Sequence, residues 1–222
     1  MCTGRIDISF VLRAFSNGTD GVFMGGCWLG ECHYLTQGNH EALSMMIIAR
    51  KLLKQVGIDP ARLRLEFVSA SEGARFADVI SDFTRRLKEL GPIGIDEAPE
   101  GQRNSLRTKL EALKSLVPYI KLIERKRLRV HFKTEEEYYQ FFDSAEVNKL
   151  FKELIIDKLV AKQIMMLLKE SPLSAEEIAG TLDLKPAETQ RHLNILTREG
   201  LLRFDEDDKR FIPTDIKEQV LN

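Results

Sequence analysis

The sequence is poor in several features whose scarcity limits what the protein can be. It has three cysteines among 222 residues, an odd and small number that argues against a disulfide framework. No apolar run approaches the roughly 18 residues of a membrane span. The formal net charge of −1 gives no general attraction to nucleic acid or anionic lipid. These absences predict a soluble cytoplasmic protein in a reducing compartment, with no membrane partner.

The chain does carry enough apolar residues to build a real core. Hydrophobic residues make up 43% and charged residues 30%, which is typical of soluble globular proteins. A chain of this length is expected to form one or two domains.

Two cysteines lie close together in a glycine-rich segment that follows an apolar run. Cys27 and Cys32 have the C-x4-C spacing with which two thiolates reach one iron–sulfur cluster, as in plant-type ferredoxins. The neighbouring glycines let the backbone bend and bring its N–H groups close to cluster sulfurs. The third cysteine is Cys2. A [2Fe–2S] cluster normally takes four protein ligands, so these three cysteines leave one ligand unaccounted for.

Other interpretations of the cysteines remain open. Cys27 and Cys32 could be buried structural thiols, because free cysteine behaves as a small hydrophobic residue. Zinc is a further alternative, but structural zinc sites usually pair two short cysteine clusters, and the sequence has no second cluster. The flanking glycines and an expected exposed loop favour the cluster.

The four histidines give weaker signals. His33, next to Cys32, could ligate or hydrogen-bond a cluster, although a packing role is favoured. His40 begins a predicted helix and is expected to be exposed. His131 and His192 have no acidic or thiol partner within reach in the sequence, so packing roles are expected for both.

Residues 1–93 alternate helical and strand patterns and form the first predicted domain. Helices are predicted from Asp7 to Asn17, from Asn39 to Gly57 and from a Ser71 cap to Gly91, with strands at Gly21–Met24 and Leu63–Val68. The order α-β-α-β-α predicts a parallel sheet with helices on its faces. Two strands are too few for such a sheet, so at least one further strand is expected before Cys2.

Residues 94–145 are predicted to form a linker and a helical connector. The stretch from Gly94 to Ser105 is polar, and a helix with a leucine stripe follows, ending near Pro118. The run Arg125–Lys133 alternates basic and apolar residues and predicts a strand. Thr134 then opens another helix.

Residues 146–222 carry the pattern of a winged helix-turn-helix. A helix ends at Pro172, and Ser174 with Glu177 forms a capping box at the start of a short helix. A tight turn leads to a third helix that Pro186 begins and Gly200 ends. Leu201–Ile212 predicts a two-stranded wing with four consecutive acids at its tip. The fold class is therefore α/β, followed by a helical linker region and a winged helix.

The charge of the winged helix disfavours DNA as its partner. If this domain read DNA, the third helix would enter the major groove, and its polar residues would be the contacts: Arg191, His192, Asn194 and Arg198. From Ser174 to Ile212, however, nine acids and six bases give a net charge of −3. Because counterion release supplies most DNA affinity, an acidic wing opposes it. Protein docking or dimerisation is the favoured role.

The first 92 or so residues resemble a known family. The stretches Cys2–Asp7, Gly18–Val22 and Gly26–Tyr34 closely resemble the delta subunit of methyl-viologen-reducing hydrogenase. Further matches are Asn39, Gly57–Arg64 and Ser69–Phe76. The Gly-Cys-x4-Cys-His-Tyr motif among them is specific.

The resemblance implies a function. Members of this family carry a [2Fe–2S] cluster and pass electrons between a hydrogenase or formate dehydrogenase module and the flavin-containing A subunit of heterodisulfide reductase. Cys2, Cys27 and Cys32 match family cysteines, so the resemblance makes them the expected cluster and metal ligands. We therefore expect a non-catalytic electron-transfer subunit of an oxidoreductase complex. The alternative is a redox-responsive winged-helix transcription regulator, with the cluster as sensor.

The chain also departs from the family pattern. Family members begin with a cysteine-rich strand and helix that are not found before Cys2 here, which agrees with the strand missing from the predicted sheet. We expect that segment on a separate partner chain or upstream of Met1 in the same reading frame. The winged helix is an addition to the minimal family pattern.

Overall fold

The computed structural model describes residues 2–35, 37–93 and 100–214. Its helices are α1 (Ile8–Ser16), α2 (Gly38–Gln55), α3 (Gly73–Leu90), α4 (Glu100–Ser115), α5 (Val117–Ile123), α6 (Glu135–Asp143), α7 (Ala145–Phe151), α8 (Asp157–Glu170), α9 (Ala175–Leu182) and α10 (Pro186–Arg198). Its strands are β1 (Val22–Gly26), β2 (Leu63–Phe67), β3 (Leu202–Asp205) and β4 (Arg210–Pro213). Across these described ranges, each helix is too short or too polar to cross a bilayer.

The chain divides into two compact units. The first, which we call the cysteine unit, comprises Met1–Ala98 and Lys121–Lys149. The second, the winged-helix unit, comprises Pro99–Ile120 and Leu150–Asn222. Among the residues that the structure describes, the chain passes from one unit to the other within α5 and within α7.

The cysteine unit contains the predicted parallel sheet. Strands β1 and β2 pair in parallel, from Val22 opposite Leu63 to Gly26 opposite Phe67. Helix α3 packs against β1, where the Phe83 ring lies 5.9 Å from the ring of Phe23. Helix α2 contacts β2, α1 and α6. The α-β-α-β-α order and the parallel pairing inferred from the sequence are confirmed.

One predicted cap is confirmed in this unit and one is wrong. Asp7 accepts a hydrogen bond from the Ser9 N–H at 2.9 Å and so begins α1. Ser71 does not cap α3, because Glu72 is the residue that precedes its first turn. The Ser71 hydroxyl instead lies 3.2 Å from the Ser69 hydroxyl.

The strand predicted at Arg125–Lys133 is also wrong. Glu124–Leu128 forms a π-helical turn, and no regular secondary structure follows it up to Lys133. The alternating apolar residues pack against a helix instead of a neighbouring strand: the Phe132 ring lies 5.3 Å from the Tyr138 ring of α6. The next predicted helix does form, with a capping box between Thr134 and Glu137.

The predicted polar linker is partly helical. Helix α4 begins at Glu100, inside the segment from Gly94 to Ser105. Residues 94–99 lie outside the described residues. Beyond Ser105, α4 carries the predicted leucine stripe, and Leu110 and Leu113 are buried.

The winged-helix unit has the architecture that its sequence predicts. Ser174 and Glu177 form a reciprocal capping box at the start of α9. Asp183 takes the left-handed conformation that ends α9, and Pro186 occupies the first turn of α10. Strands β3 and β4 pair antiparallel as the wing. Helices α4 and α8 pack together within this unit.

Candidate functional site

The fold brings all three cysteines to one end of the parallel sheet. A short 3-10 helix, Thr3–Arg5, follows Cys2, and the Thr3 hydroxyl donates a hydrogen bond of 2.8 Å to the Gly25 carbonyl at the end of β1. This contact ties the start of the chain to the cysteine loop. The Cys2 sulfur lies 3.6 Å from the Cys32 sulfur, although 30 residues separate the two in sequence.

Gly38 leaves the space that these sulfurs occupy. A Cβ atom at this position would lie 2.4 Å from the Cys32 sulfur and 3.3 Å from the Cys2 sulfur. Its φ angle of 47° also lies in the left-handed region that favours glycine. Gly4 approaches the same backbone so closely that a Cβ atom there would overlap the Gly38 carbonyl.

Asn39 holds the cysteine loop in place. Its side-chain amide donates hydrogen bonds to the carbonyls of Cys27, at 2.7 Å, and Trp28, at 2.6 Å. The same nitrogen lies 4.0 Å from the Cys27 sulfur. Asn39 is fully buried, and its side-chain oxygen has no hydrogen-bond partner among the described residues. The sequence signals for Asn39 were its place at a helix start and in the family pattern.

Trp28 anchors the loop from the other side. Its indole N–H donates a hydrogen bond of 2.8 Å to the Glu72 carboxylate, which also accepts a hydrogen bond of 2.7 Å from the Ser69 N–H. The Arg75 guanidinium lies 4.5 Å from the centre of the Trp28 ring, within cation–π range. The first turn of α3 therefore fixes the residue that follows Cys27.

The three thiols have different electrostatic environments. Burial raises the pKa of Cys2 and of Cys27 above the ordinary thiol value. Burial acts in the same direction on Cys32, but backbone N–H groups of Tyr34 and Asn39 outweigh it, with help from the Cys2 and Cys27 thiols, and lower the pKa of Cys32. Cys32 is therefore the thiol whose anion the fold stabilises, with N–H donors aimed at its sulfur.

The cysteines line an open cleft of about 730 Å³. Its walls include the turn after β2 and the start of α3, and aromatic side chains of Tyr34 and Phe76 border it. Both aromatic side chains are largely exposed. Cys32 is buried, whereas Cys2 and Cys27 are partly accessible, so the exposed loop expected from the sequence is only half correct.

Two of the three cysteine sulfurs are spaced as two thiolates on one metal ion would be. Two thiolates on one tetrahedral metal lie about 3.8 Å apart when each metal–sulfur bond is about 2.3 Å. The 3.6 Å separation of the Cys2 and Cys32 sulfurs is close to that value. Within residues 2–35, 37–93 and 100–214, no three His, Cys, Asp or Glu side chains converge on one metal ion. A [2Fe–2S] cluster divides its ligands between two irons, so it does not require such a group.

The histidines of this unit do not all lie where the sequence placed them. His33 lines the cysteine cleft and is exposed, with its ring 5.3 Å from that of Tyr34. His40 was expected to be exposed, but it is buried, and its Nδ1 lies 3.1 Å from the Tyr138 hydroxyl. The expectation failed because Tyr138 is 98 residues away in sequence. The ring of His131 lies 4.3 Å from that of His40.

The candidate DNA contacts of the winged helix are largely engaged within their own unit. Arg191 makes two hydrogen bonds to the Asp157 carboxylate, at 2.6 and 3.2 Å. His192 is buried, as its expected packing role requires, but it also lies 3.5 Å from the same carboxylate, an acidic partner that the sequence did not indicate. Asn194 accepts a hydrogen bond from Gln190. Arg198 is exposed at the end of α10.

Comparison with known proteins agrees with this division of the chain. Residues 1–91 match the family described as methyl-viologen-reducing hydrogenase, delta subunit. Residues 161–203 match the bacterial regulatory protein family arsR, which agrees with the winged helix-turn-helix fold.

Three relatives illustrate the similarity of the first 90 or so residues. The iron-sulfur subunit of the F420-non-reducing hydrogenase of Archaeoglobus profundus is 47% identical over 91 residues, 41% of this chain and 66% of that protein. The vhu iron-sulfur subunit of the corresponding hydrogenase of Methanopyrus kandleri is 38% identical over 92 residues, 41% of this chain and 69% of its own. The A subunit of the ferredoxin:CoB-CoM heterodisulfide reductase of Methanosarcina mazei is 46% identical over 94 residues, 42% of this chain and 12% of that protein.

The matches are long enough to assign the family, but they cover too little of the relatives to assign their activities to this chain. The chain spans just under two thirds of the Archaeoglobus protein and a small part of the Methanosarcina protein. Its similarity to the Methanopyrus protein covers more than two thirds of that protein at well over 30% identity. The chain therefore belongs to the methyl-viologen-reducing hydrogenase delta subunit family, with an arsR-type winged helix at its C-terminal end.

Proposed function

We propose that this chain is a non-catalytic electron-transfer subunit that helps to hold a [2Fe–2S] cluster. Cys2, Cys27 and Cys32 would be three of its ligands. The observation that carries the proposal is that all three cysteines of the chain line one cleft, where Gly38 leaves room for the sulfurs of Cys2 and Cys32. The fourth ligand would be another group, and His33 is a candidate because it lines the same cleft.

The protein's own groups would position and tune such a cluster. When bound, a [2Fe–2S] cluster accepts and releases single electrons. The N–H groups that point at Cys32 would stabilise negative charge on its sulfur, and hydrogen bonds to cluster thiolates shift the reduction potential. Asn39 would keep Cys27 in place through its bonds to the loop carbonyls. The open cleft would let a partner's cofactor approach.

The relatives support a choice of partners. One kind is named as a hydrogenase subunit, and another is the A subunit of a heterodisulfide reductase, which contains a stretch 46% identical to this chain. The similar stretch is part of the heterodisulfide reductase A subunit in Methanosarcina, whereas here it belongs to a different chain. We expect such a chain to act next to a protein of the heterodisulfide reductase A kind. We therefore propose a relay between a hydrogenase and a heterodisulfide reductase A-like flavoprotein, and the family resemblance adds formate dehydrogenase as the alternative electron donor. The proposed location is the cytoplasm.

An anaerobic reconstitution tests this relay. The full chain would be mixed with the hydrogenase and the heterodisulfide reductase A-like flavoprotein of its own organism, and flavin reduction by hydrogen would be followed optically. A second mixture would use formate and formate dehydrogenase. We expect flavin reduction with one of these donors only when the chain is present, and its loss with Cys27→Ser. Equal rates with and without the chain in both mixtures would contradict the proposal.

A second candidate function is a redox-responsive transcription regulator. The match of residues 161–203 to the arsR regulatory family favours it. The acidic wing and the engagement of Arg191 with Asp157 weigh against it. A gel-shift assay on fragments of the organism's genome, with and without oxidant, separates the two. We expect no oxidant-dependent shift, and a specific shift that oxidant abolishes would favour the regulator.

A further inference from the structure

The winged-helix unit has an open apolar groove between its helices and its wing. We call it the wing groove, and the residues used below are Ala175, Thr197, Arg198, Phe204, Lys209 and Phe211. Its volume is about 720 Å³. Phe204 lies on the groove with 47% of its surface exposed, and its ring is 5.0 Å from that of the buried Phe211. An exposed aromatic side chain on an apolar floor is typical of a docking surface.

The tip of the wing, which reaches the groove at Lys209, carries acidic side chains. The Asp205 carboxylate accepts hydrogen bonds from the backbone N–H groups of Asp207, at 3.1 Å, and Asp208, at 3.4 Å, and so shapes the turn. The turn leaves Glu206, Asp207 and Asp208 exposed. Glu176 lines the groove on the α9 side. The wing tip, residues 205–209, carries four carboxylates and Lys209, a net charge of −3, next to a groove whose own charged side chains are Glu176, Arg198 and Lys209.

The negative charge of the wing tip favours one class of macromolecule as the occupant of the neighbouring groove. A duplex would bring phosphates to the wing tip, where three exposed carboxylates would repel them. Arg191, which could have offset that repulsion, is already bonded to Asp157. A polypeptide with basic side chains meets the opposite field, and its apolar side chains can cover Phe204.

We propose that the wing groove docks a basic, amphipathic segment of a protein partner. An apolar side chain of that segment covers Phe204, and flanking Lys or Arg side chains face Glu206, Asp207 and Asp208. This site lies in the winged-helix unit, so the inference goes beyond the electron transfer proposed for the cysteine unit and stands or falls separately from it.

Peptide titrations of the full chain test the proposal. The probe is a 12-residue peptide of Lys, Leu and Trp in an amphipathic order, and binding is followed by amide shifts in a nitrogen-15 spectrum. One control peptide replaces Leu and Trp by Ser, and a second replaces Lys by Glu. We expect shifts centred on Ala175, Thr197 and Phe204 with the probe, and at least about tenfold weaker binding of each control, since either an apolar contact or the charge match is lost.

Variants with matched controls show whether the groove itself binds. Phe204→Ala is expected to weaken probe binding about tenfold, because a large apolar contact is lost. Phe10→Ala removes a Phe that is 61% exposed in the cysteine unit and is expected to leave binding unchanged. The pair Asp207→Lys and Asp208→Lys is likewise compared with Asp78→Lys and Glu146→Lys, which change the net charge equally at exposed positions elsewhere. Circular dichroism verifies that each variant is folded.

Other outcomes would overturn the inference. Equal effects of groove and control variants would mean that the peptide binds through net charge alone. Tighter binding of a DNA duplex than of the probe, with a steep dependence on salt, would make the groove a nucleic-acid site. Concentration-dependent self-association that Phe204→Ala abolishes would make the occupant a second copy of this chain.

Discussion

The cysteine site requires glycine at position 38, because a side chain there would collide with the Cys32 sulfur. Gly38→Ala is expected to cost about 1 kcal/mol for a left-handed Cβ and to displace the Cys32 sulfur as well. Gly30→Ala is the matched control, because Gly30 has a φ of 85° and nothing lies within 4 Å of a Cβ there. We expect bound iron to fall sharply in the first variant and little in the second. Equal iron content in both would contradict the packing account of Gly38.

Asn39 gives a second prediction for a single residue. Asn39→Leu removes the side-chain amide that donates to the Cys27 and Trp28 carbonyls. Because an unsatisfied buried polar group costs about 1–3 kcal/mol, we expect at least about 2 kcal/mol of lost stability. Urea unfolding followed by Trp28 fluorescence measures it, since Trp28 is the only tryptophan of the chain. The exposed Gln140→Ala is the control, and a loss no larger than in that variant would refute the role of Asn39.

At the residue scale, the sequence indicated which cysteines lie together but not which residues pack around them. The spacing of Cys27 and Cys32 indicated a shared site because four intervening residues keep two thiols close. Spacing could not bring in Cys2, which reaches Cys32 only through the folded chain, so that expectation came from the family resemblance. The burial of His40 had no local signal, because its partner Tyr138 comes from α6.

At the scale of elements, local chemistry predicted the helices well. Asp7, Thr134 and Ser174 each cap the helix that the sequence assigned to them, because capping depends only on residues within one turn. The run Arg125–Lys133 was misread because period-two alternation indicates a strand only where a neighbouring strand is available to pair. In this run the apolar side chain of Leu128 is buried within a π-helical turn and not in a sheet.

Helix α10 carries a pH-dependent prediction. Burial, followed by the nearby Arg191 cation, lowers the pKa of His192, and an Arg191 N–H lies 3.0 Å from its Nε2. A base whose folded pKa lies below its unfolded value contributes stability at higher pH and loses that contribution as the pH falls. The urea midpoint from far-ultraviolet circular dichroism should therefore drop between about pH 7.5 and about pH 5.5.

His192→Gln isolates this histidine from the others. It is expected to reduce the drop. The buried His40, whose pKa burial also lowers, accounts for any drop that remains. An unaltered drop in His192→Gln would contradict the assignment.

At the scale of the whole molecule, the order of elements was predictable and the grouping of segments was not. The alternation of helix and strand patterns in residues 1–93 fixed the parallel pairing of β1 and β2, because only a crossover helix joins parallel neighbours. The joining of residues 99–120 with residues 150–222 in one unit follows from apolar faces on α4 and α8 that meet across 40 residues or more of sequence. The spacing of apolar residues within either helix does not indicate which other helix it contacts.

The central claim is that Cys2, Cys27 and Cys32 together hold an iron–sulfur cluster, and iron content tests it most directly. The full chain and three variants, each with one cysteine replaced by serine, would be purified anaerobically and assayed for iron, acid-labile sulfide and the EPR signal after reduction. Ser81→Ala, at an exposed serine of α3, is the control. The account predicts about two irons per parent chain, the same in the control, and loss of most iron in every cysteine variant. Full iron and an unchanged EPR signal in Cys27→Ser would contradict it.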